Sequence, residues 1–155
     1  MLNKIRIISP GKIREGYLRE AVESARQALS RQIPVELVEV EDSPDQWPVD
    51  RALAAEAERM RSRLKPLDLI VALDLAGQWP KPDARGSLRP LLQRWREQAQ
   101  GDLVFLIGGS NGLDPQLLKQ AQARICLSRL TFTHQMARLI LLDLLARAWP
   151  GSPNS

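Results

Sequence analysis

Short apolar runs alternate with helical stripes along the chain. Lys4-Ile5-Arg6-Ile7-Ile8 is β-branched and alternating, and Pro10-Gly11 closes it, which predicts an opening strand. Ile13, Tyr17, Leu18, Ala21, Ala25, Ala28 and Leu29 then share one face at helical spacing. Val35–Val40 predicts a second strand, followed by a polar loop over residues 41–48. Asp50 is the expected N-cap of a helix reaching about Lys65, where Pro66 ends it. Residues 67–74 are almost continuously apolar, as in a strand buried on both faces.

The stretch 76–86 carries Gly77, Pro80, Pro82 and Gly86 and predicts irregular backbone. A helix from about Ser87 to Gln100 and a strand over residues 103–107 follow. Asp114-Pro115 opens another helix, because the aspartate caps free amides and proline suits the first helical position. Residues 124–127 allow a short fifth strand, and a last helix runs from about Thr133 to Trp149. Five strand–helix alternations predict an α/β domain with a mainly parallel sheet covered on both sides. Ligands of such sheets bind beyond the carboxyl ends of the strands. That directs attention to residues 73–77, 108–112 and 128–134.

Composition then removes whole classes. The 155 residues suit one domain, and no window approaches the apolar length of a membrane helix. The opening residues lack a signal peptide's apolar stretch, so the expected location is cytoplasmic. Cys126 and His134 are the single cysteine and histidine, too few for a disulfide framework or a Cys/His zinc site. No GxSxG elbow accompanies the histidine, which argues against a serine hydrolase. From Pro115 onward five cations (Lys119, Arg124, Arg129, Arg138, Arg147) stand against Asp143 alone, accounting for the whole net charge of +4. A basic final quarter is suited to RNA phosphates, and equally to a solvated helix face.

Three loops carry candidate chemistry. Gly108-Gly109-Ser110-Asn111-Gly112 follows a buried strand and lets backbone approach a ligand closely. It is neither a P-loop nor a dinucleotide fingerprint, and on spacing alone a plain strand-to-helix turn explains it as well. Asp74 ends a strand, where a carboxylate can bind ribose hydroxyls or simply serve a turn. Leu127-Ser128-Arg129-Leu130-Thr131-Phe132 mixes apolar and hydroxyl residues without a period, as a segment wrapping a ligand does. His134 and Arg138 lie four apart on one helix face; the first can move protons and the second can bind phosphate or carboxylate. Cys126 reads as a small core residue, and the four tryptophans as core or interface packing.

The segments Leu103-Val104-Phe105-Leu106-Ile107-Gly108-Gly109-Ser110-Asn111-Gly112-Leu113 and Leu127-Ser128-Arg129-Leu130-Thr131-Phe132-Thr133-His134-Gln135-Met136-Ala137-Arg138 resemble the RlmH family. Its members are SPOUT-class methyltransferases acting on N3 of a pseudouridine in large-subunit ribosomal RNA. The likeness extends to Gly11-Lys12-Ile13-Arg14-Glu15 and Leu73-Asp74 and is loose between about Glu41 and Lys65. The resemblance implies one SPOUT domain over residues 1–155, with a trefoil knot and cofactor region at about 103–149. It implies a cytoplasmic homodimer that needs no metal and binds S-adenosyl-L-methionine through Leu73, Gly108, Leu127, Ser128, Arg129, Leu130, Thr131 and Phe132. His134 and Arg138 match its polar pair as catalytic candidates, and Arg129, Arg138 and Arg147 become RNA-binding candidates.

The likeness thins in the last helix. Thr133 stands where the family has proline, Asp143-Leu144 where it has Glu-Gln, and Ala146 where it has tyrosine. Pro150-Gly151-Ser152-Pro153-Asn154-Ser155 replaces a tail ending near Tyr-His. An alternative is therefore an RNA- or ribosome-binding homologue that keeps the cofactor pocket with weakened turnover. A dinucleotide-binding domain remains as a fold-level analogy without the glycine fingerprint.

Overall fold

The computed structural model describes residues 1–78, 88–128 and 133–151. Strands β1 (Ile5–Pro10), β2 (Val35–Val40), β3 (Leu69–Gln78), β4 (Leu103–Leu106) and β5 (Ala123–Ile125) form one sheet in the order β2-β1-β4-β3-β5. Every strand pair is parallel. Helices α1 (Gly16–Ser30), α2 (Val49–Arg61), α3 (Arg89–Gln98) and α4 (Pro115–Gln120) connect successive strands, and α5 (His134–Ala148) follows the last one. The expected α/β architecture is present.

The sheet's pleat sorts the core into two layers. Ile5, Ile7, Leu103 and Phe105 face α1, α3 and α5, whereas Ile8, Val104 and Leu106 face α2 and α4. Phe105 is fully buried and meets Trp95 edge to face, with ring centroids 5.7 Å apart. Burying a side chain of that size contributes about 1.5–3 kcal/mol. Trp95 and Trp149 belong to this core, Trp47 is half-buried under the Arg51 guanidinium, and Trp79 lies outside the described residues.

Local chemistry places most boundaries. Asp114 caps α4, its carboxylate accepting the Gln116 N–H at 2.8 Å, with Pro115 at the first helical position. Thr133 caps α5 in the same way, accepting from Met136 N at 3.2 Å. Three expectations need correction. Pro48, not Asp50, is the N-cap of α2, because its fixed φ presets the entry; Asp50 sits in the first turn, where a carboxylate favours the helix dipole. That helix ends at Arg61, short of Lys65. Ile13 precedes α1 and is nonetheless buried, so its apolar character serves the core from a loop.

Strand β3 continues to Gln78, further than its apolar run indicated, and meets β5 twice: both Leu73 and Gln78 are in register with Ile125. Residues 76–78 of the expected irregular stretch are therefore strand, and 79–87 lie outside the described residues. α5 buries Ala137, Leu141, Leu142, Leu145 and Ala148, yet Met136, Ile140 and Leu144 form a second, half-buried apolar stripe. No helix among the described residues is long and apolar enough to cross a membrane.

Candidate active site

The strand order sets β3 between β4 and β5, so their carboxyl ends emerge side by side. Leu73 stands near the end of the regular β3–β5 pairing, Gly108 two residues beyond β4, and Leu127 and Ser128 just beyond β5. Parallel strands put all three loops on one rim, where Leu73, Leu127 and Ser128 are half-buried. Arg129, Leu130, Thr131 and Phe132, which continue this set, lie outside the described residues.

The glycine loop is held by backbone contact. A Cβ on Gly108 would stand 2.4 Å from the carbonyl group of Gly112, so no larger residue fits there. Gly112 N donates to Gly109 O at 3.0 Å, and Gly112 has φ of +80°, a conformation that glycine adopts without steric cost. After β5, the Cys126 thiol donates to Ser128 O at 2.8 Å, which folds the chain back over the strand end. Cys126 is buried, as expected of a core residue.

α5 begins on the same edge of the sheet, beyond the ends of β1 and β2. Arg138 is 2% exposed, and its Nη1 lies 2.8 Å from Glu39 Oε2. Its Nη2 donates to the carbonyls of Pro10 at 3.1 Å and Gly11 at 3.0 Å. Burial lowers the Arg138 pKa, while the Glu39 carboxylate opposes that shift. The side chain thus ties α5 to the ends of β1 and β2.

His134, one turn earlier, is half-buried. Its pKa is lowered first by burial and then by the Arg138 charge; Asp42 opposes and Arg14 adds to the lowering. The imidazole is therefore mainly neutral near pH 7. The Arg14 backbone N–H donates to Gln135 Oε1 at 3.2 Å, fastening the β1–α1 loop to the same turn.

Arg147 lies three turns from His134, exposed and bonded to Asp143 at 2.5 Å. Glu39 and Asp42 did not stand out in the sequence, and the 11–15 segment did so only through the family likeness, with no site role attached. A signal was available for Glu39, an outward polar position at the carboxyl end of an alternating strand. Among the described residues no group of three or more His, Cys, Asp or Glu could hold a metal ion.

A family model described as a predicted SPOUT methyltransferase matches residues 3–150. The chain belongs to the SPOUT methyltransferase family. This SPOUT chain is 38% identical over 151 residues to the Ribosomal RNA large subunit methyltransferase H of Ruminiclostridium cellulolyticum, covering 94% of this chain and 93% of that protein. A protein of the same name from Acetivibrio thermocellus is 38% identical over 157 residues, with the same coverage. That of Anaeromyxobacter dehalogenans is 35% identical over 151 residues, covering 94% of this SPOUT chain and 92% of the relative. The α/β architecture is thus that of a methyltransferase family, and the dinucleotide-binding analogy is set aside.

Proposed function

We propose that this chain is a ribosomal RNA large-subunit methyltransferase that uses S-adenosyl-L-methionine and methylates N3 of a pseudouridine. The observation that carries the reading is the shared rim of the β3, β4 and β5 ends, on the sheet edge where the neighbouring β1 and β2 ends hold the first turn of α5 with its half-buried histidine. The named function of relatives covering 94% of the chain supports it. The alternative of a homologue that binds without turnover has no observation of its own in the described residues.

The rim fits the cofactor's chemistry. Leu73 and Leu127 offer apolar, half-buried walls for an adenine, and the loops after β4 and β5 bring backbone donors and acceptors alongside. Gly108 and Ser128 border the proposed pocket; cofactor contacts by Arg129, Leu130, Thr131 and Phe132, and a trefoil knot, are proposed on the resemblance alone. S-adenosylmethionine, when bound, supplies an electrophilic methyl on its sulfonium, so no metal is needed.

The protein's task is alignment and removal of a proton. The N3 nitrogen must give up its hydrogen to present a lone pair, and His134 is the proposed acceptor. Its lowered pKa keeps the acceptor form populated at neutral pH. Arg138, its two terminal nitrogens engaged by Glu39 and two carbonyls, acts as a positioning residue that holds the turn bearing His134. Arg147 stays accessible for RNA, in exchange for its exposed Asp143 partner.

The second apolar stripe of α5, with Tyr17 70% exposed on the neighbouring α1, supports a homodimer. Ribosomal RNA as substrate sets the location as cytoplasmic.

Transfer of tritiated methyl to pseudouridine-containing ribosomes, with the product located by mass spectrometry, tests the assignment. His134→Ala is expected to lose transfer while retaining cofactor binding by calorimetry. Cofactor binding without methyl transfer to any ribosomal RNA would sink it.

A further inference from the structure

A cavity of about 430 Å³ opens between the β1–β2 face and α1, beside Arg138. Its floor is apolar, from Ile7, Ile13, Val22 and Leu37, and its charged lining is Lys12, Arg19, Glu23, Glu39 and Arg138. The acids in that lining are already engaged. Glu39 accepts from Arg138 at 2.8 Å, and Glu23 accepts from Arg26, outside the cavity, at 2.6 Å.

Lys12 and Arg19, by contrast, take part in no ion pair formed among the described residues. Both are exposed, as is Arg14, which also forms no such pair and whose backbone is bonded to Gln135 beside His134. Arg138 Nε is buried in the same wall without a hydrogen-bond partner. The cavity mouth therefore presents cations held in no direct ion pair among the described residues, with the carboxylates of Glu15, Glu20 and Asp42 in the surroundings.

The charge arithmetic of the sequence pointed to the last quarter of the chain. There, Arg138 is neutralised by Glu39 and Arg147 by Asp143. Among the described residues Lys119 and Arg124 also form no ion pair, but the cation whose backbone is fastened beside His134 is Arg14, from the first quarter, and Lys12 and Arg19 line the adjoining cavity.

We infer that Lys12, Arg14 and Arg19 form a backbone-phosphate site for the substrate RNA, at the cavity between α1 and β1–β2. The inference rests on the ribosomal RNA methyltransferase reading and adds the surface that docks the strand. Phosphate contacts fix the register of a nucleic acid and carry no sequence information, so this surface positions the target without choosing it. Glu15 and Glu20, exposed on the same segment, border the site and limit how closely other phosphates approach.

The test is filter binding of large-subunit ribosomal RNA across a potassium chloride series. Wild type is compared with the triple variant Lys12→Gln/Arg14→Gln/Arg19→Gln and with Arg147→Gln. The triple variant is expected to bind about tenfold or more weaker and to flatten the log–log salt slope by about 2, near 0.7 per lost contact. Its thermal midpoint and cofactor affinity stay at wild-type values, since the three side chains are exposed. An unchanged slope, or an equal loss from Arg147→Gln alone, overturns the inference. So does displacement of bound inorganic phosphate by the triple substitution with RNA affinity untouched, which identifies a free-anion site. Methyl transfer by wild type with an unchanged slope in the variant leaves the methyltransferase reading intact. A flattened slope in a protein that transfers no methyl defeats that reading and leaves the docking surface standing.

Discussion

Arg138 Nη1 and Glu39 Oε2 lie 2.8 Å apart although 99 residues separate them in the chain, and the two sides of the pair are unequally buried: 2% against 39% side-chain exposure. That inequality fixes the outcome of breaking the pair. Without Glu39 the guanidinium stays buried with an uncompensated charge, whereas without Arg138 the carboxylate reaches water. Glu39→Ala is expected to cost about 2–4 kcal/mol in denaturant unfolding, and Arg138→Met less. The double variant should cost less than the two single effects together. A negligible loss from Glu39→Ala would show that the carbonyls of Pro10 and Gly11 hold the arginine without help.

The opposite end of the sheet carries a second buried charge cluster. Arg6 Nη1 lies 2.9 Å from Asp68 and 3.3 Å from Asp102, and its Nη2 donates to the Arg63 carbonyl. Asp68 also accepts the Lys65 backbone N–H at 2.7 Å. Arg6→Met leaves two buried carboxylates facing each other and is expected to lose about 3–5 kcal/mol. Because the cluster sits at the amino ends of the strands, cofactor affinity of the folded fraction should be unchanged by calorimetry. A fall in affinity matching the stability loss would refute that separation.

His134 links stability to pH. Its folded-state pKa lies below the unfolded value of 6.5, so the unfolded chain binds the proton more readily. Stability from this group is complete above about pH 6.5 and declines as pH falls through the folded pKa. His134→Gln should remove that decline. As the protein has a single histidine, one imidazole resonance followed by NMR reports the midpoint directly. A midpoint at or above 6.5 contradicts the neutral acceptor. Methyl transfer is expected to show an acidic limb at the same midpoint.

Two glycines of one loop should respond differently to alanine. At Gly108 a Cβ meets Gly112 backbone at 2.4 Å, so the loop must move. Gly112→Ala meets nothing within 4 Å and incurs only the strain of positive φ, about 1–2 kcal/mol. Gly108→Ala is expected to be worse in both stability and cofactor binding, as read by denaturation and calorimetry. Equal behaviour would mean that the loop reshapes freely.

Much of the architecture was legible because it rests on local rules. The β-branched run at 5–8, the apolar run at 103–106 and the Asp114-Pro115 start each encode an element through pattern and capping. Boundaries failed where tertiary contacts compete with pattern. β3 reaches Gln78 because β5 offers a pairing partner, and Ile13 is buried outside any helix because α1 closes over it. That Leu73 and Gly108 share one edge of the sheet was legible from strand ends, since a parallel sheet puts those ends together; Leu127 was named only through the resemblance.

The sequence by itself determined the alternation of strands and helices, the loops at the strand ends and membership of a methyltransferase family, because periodicity, caps and motifs are local. Only the tertiary structure decided what the charges do. It buried Arg138 against Glu39, a partner 99 residues away, and joined Arg147 to Asp143. It left Arg14, fastened beside His134, and Lys12 and Arg19, lining the adjoining cavity, without an ion pair among the described residues. A count of charge along the chain places it in the final quarter; the field around the site comes from the cations whose partners the fold withholds.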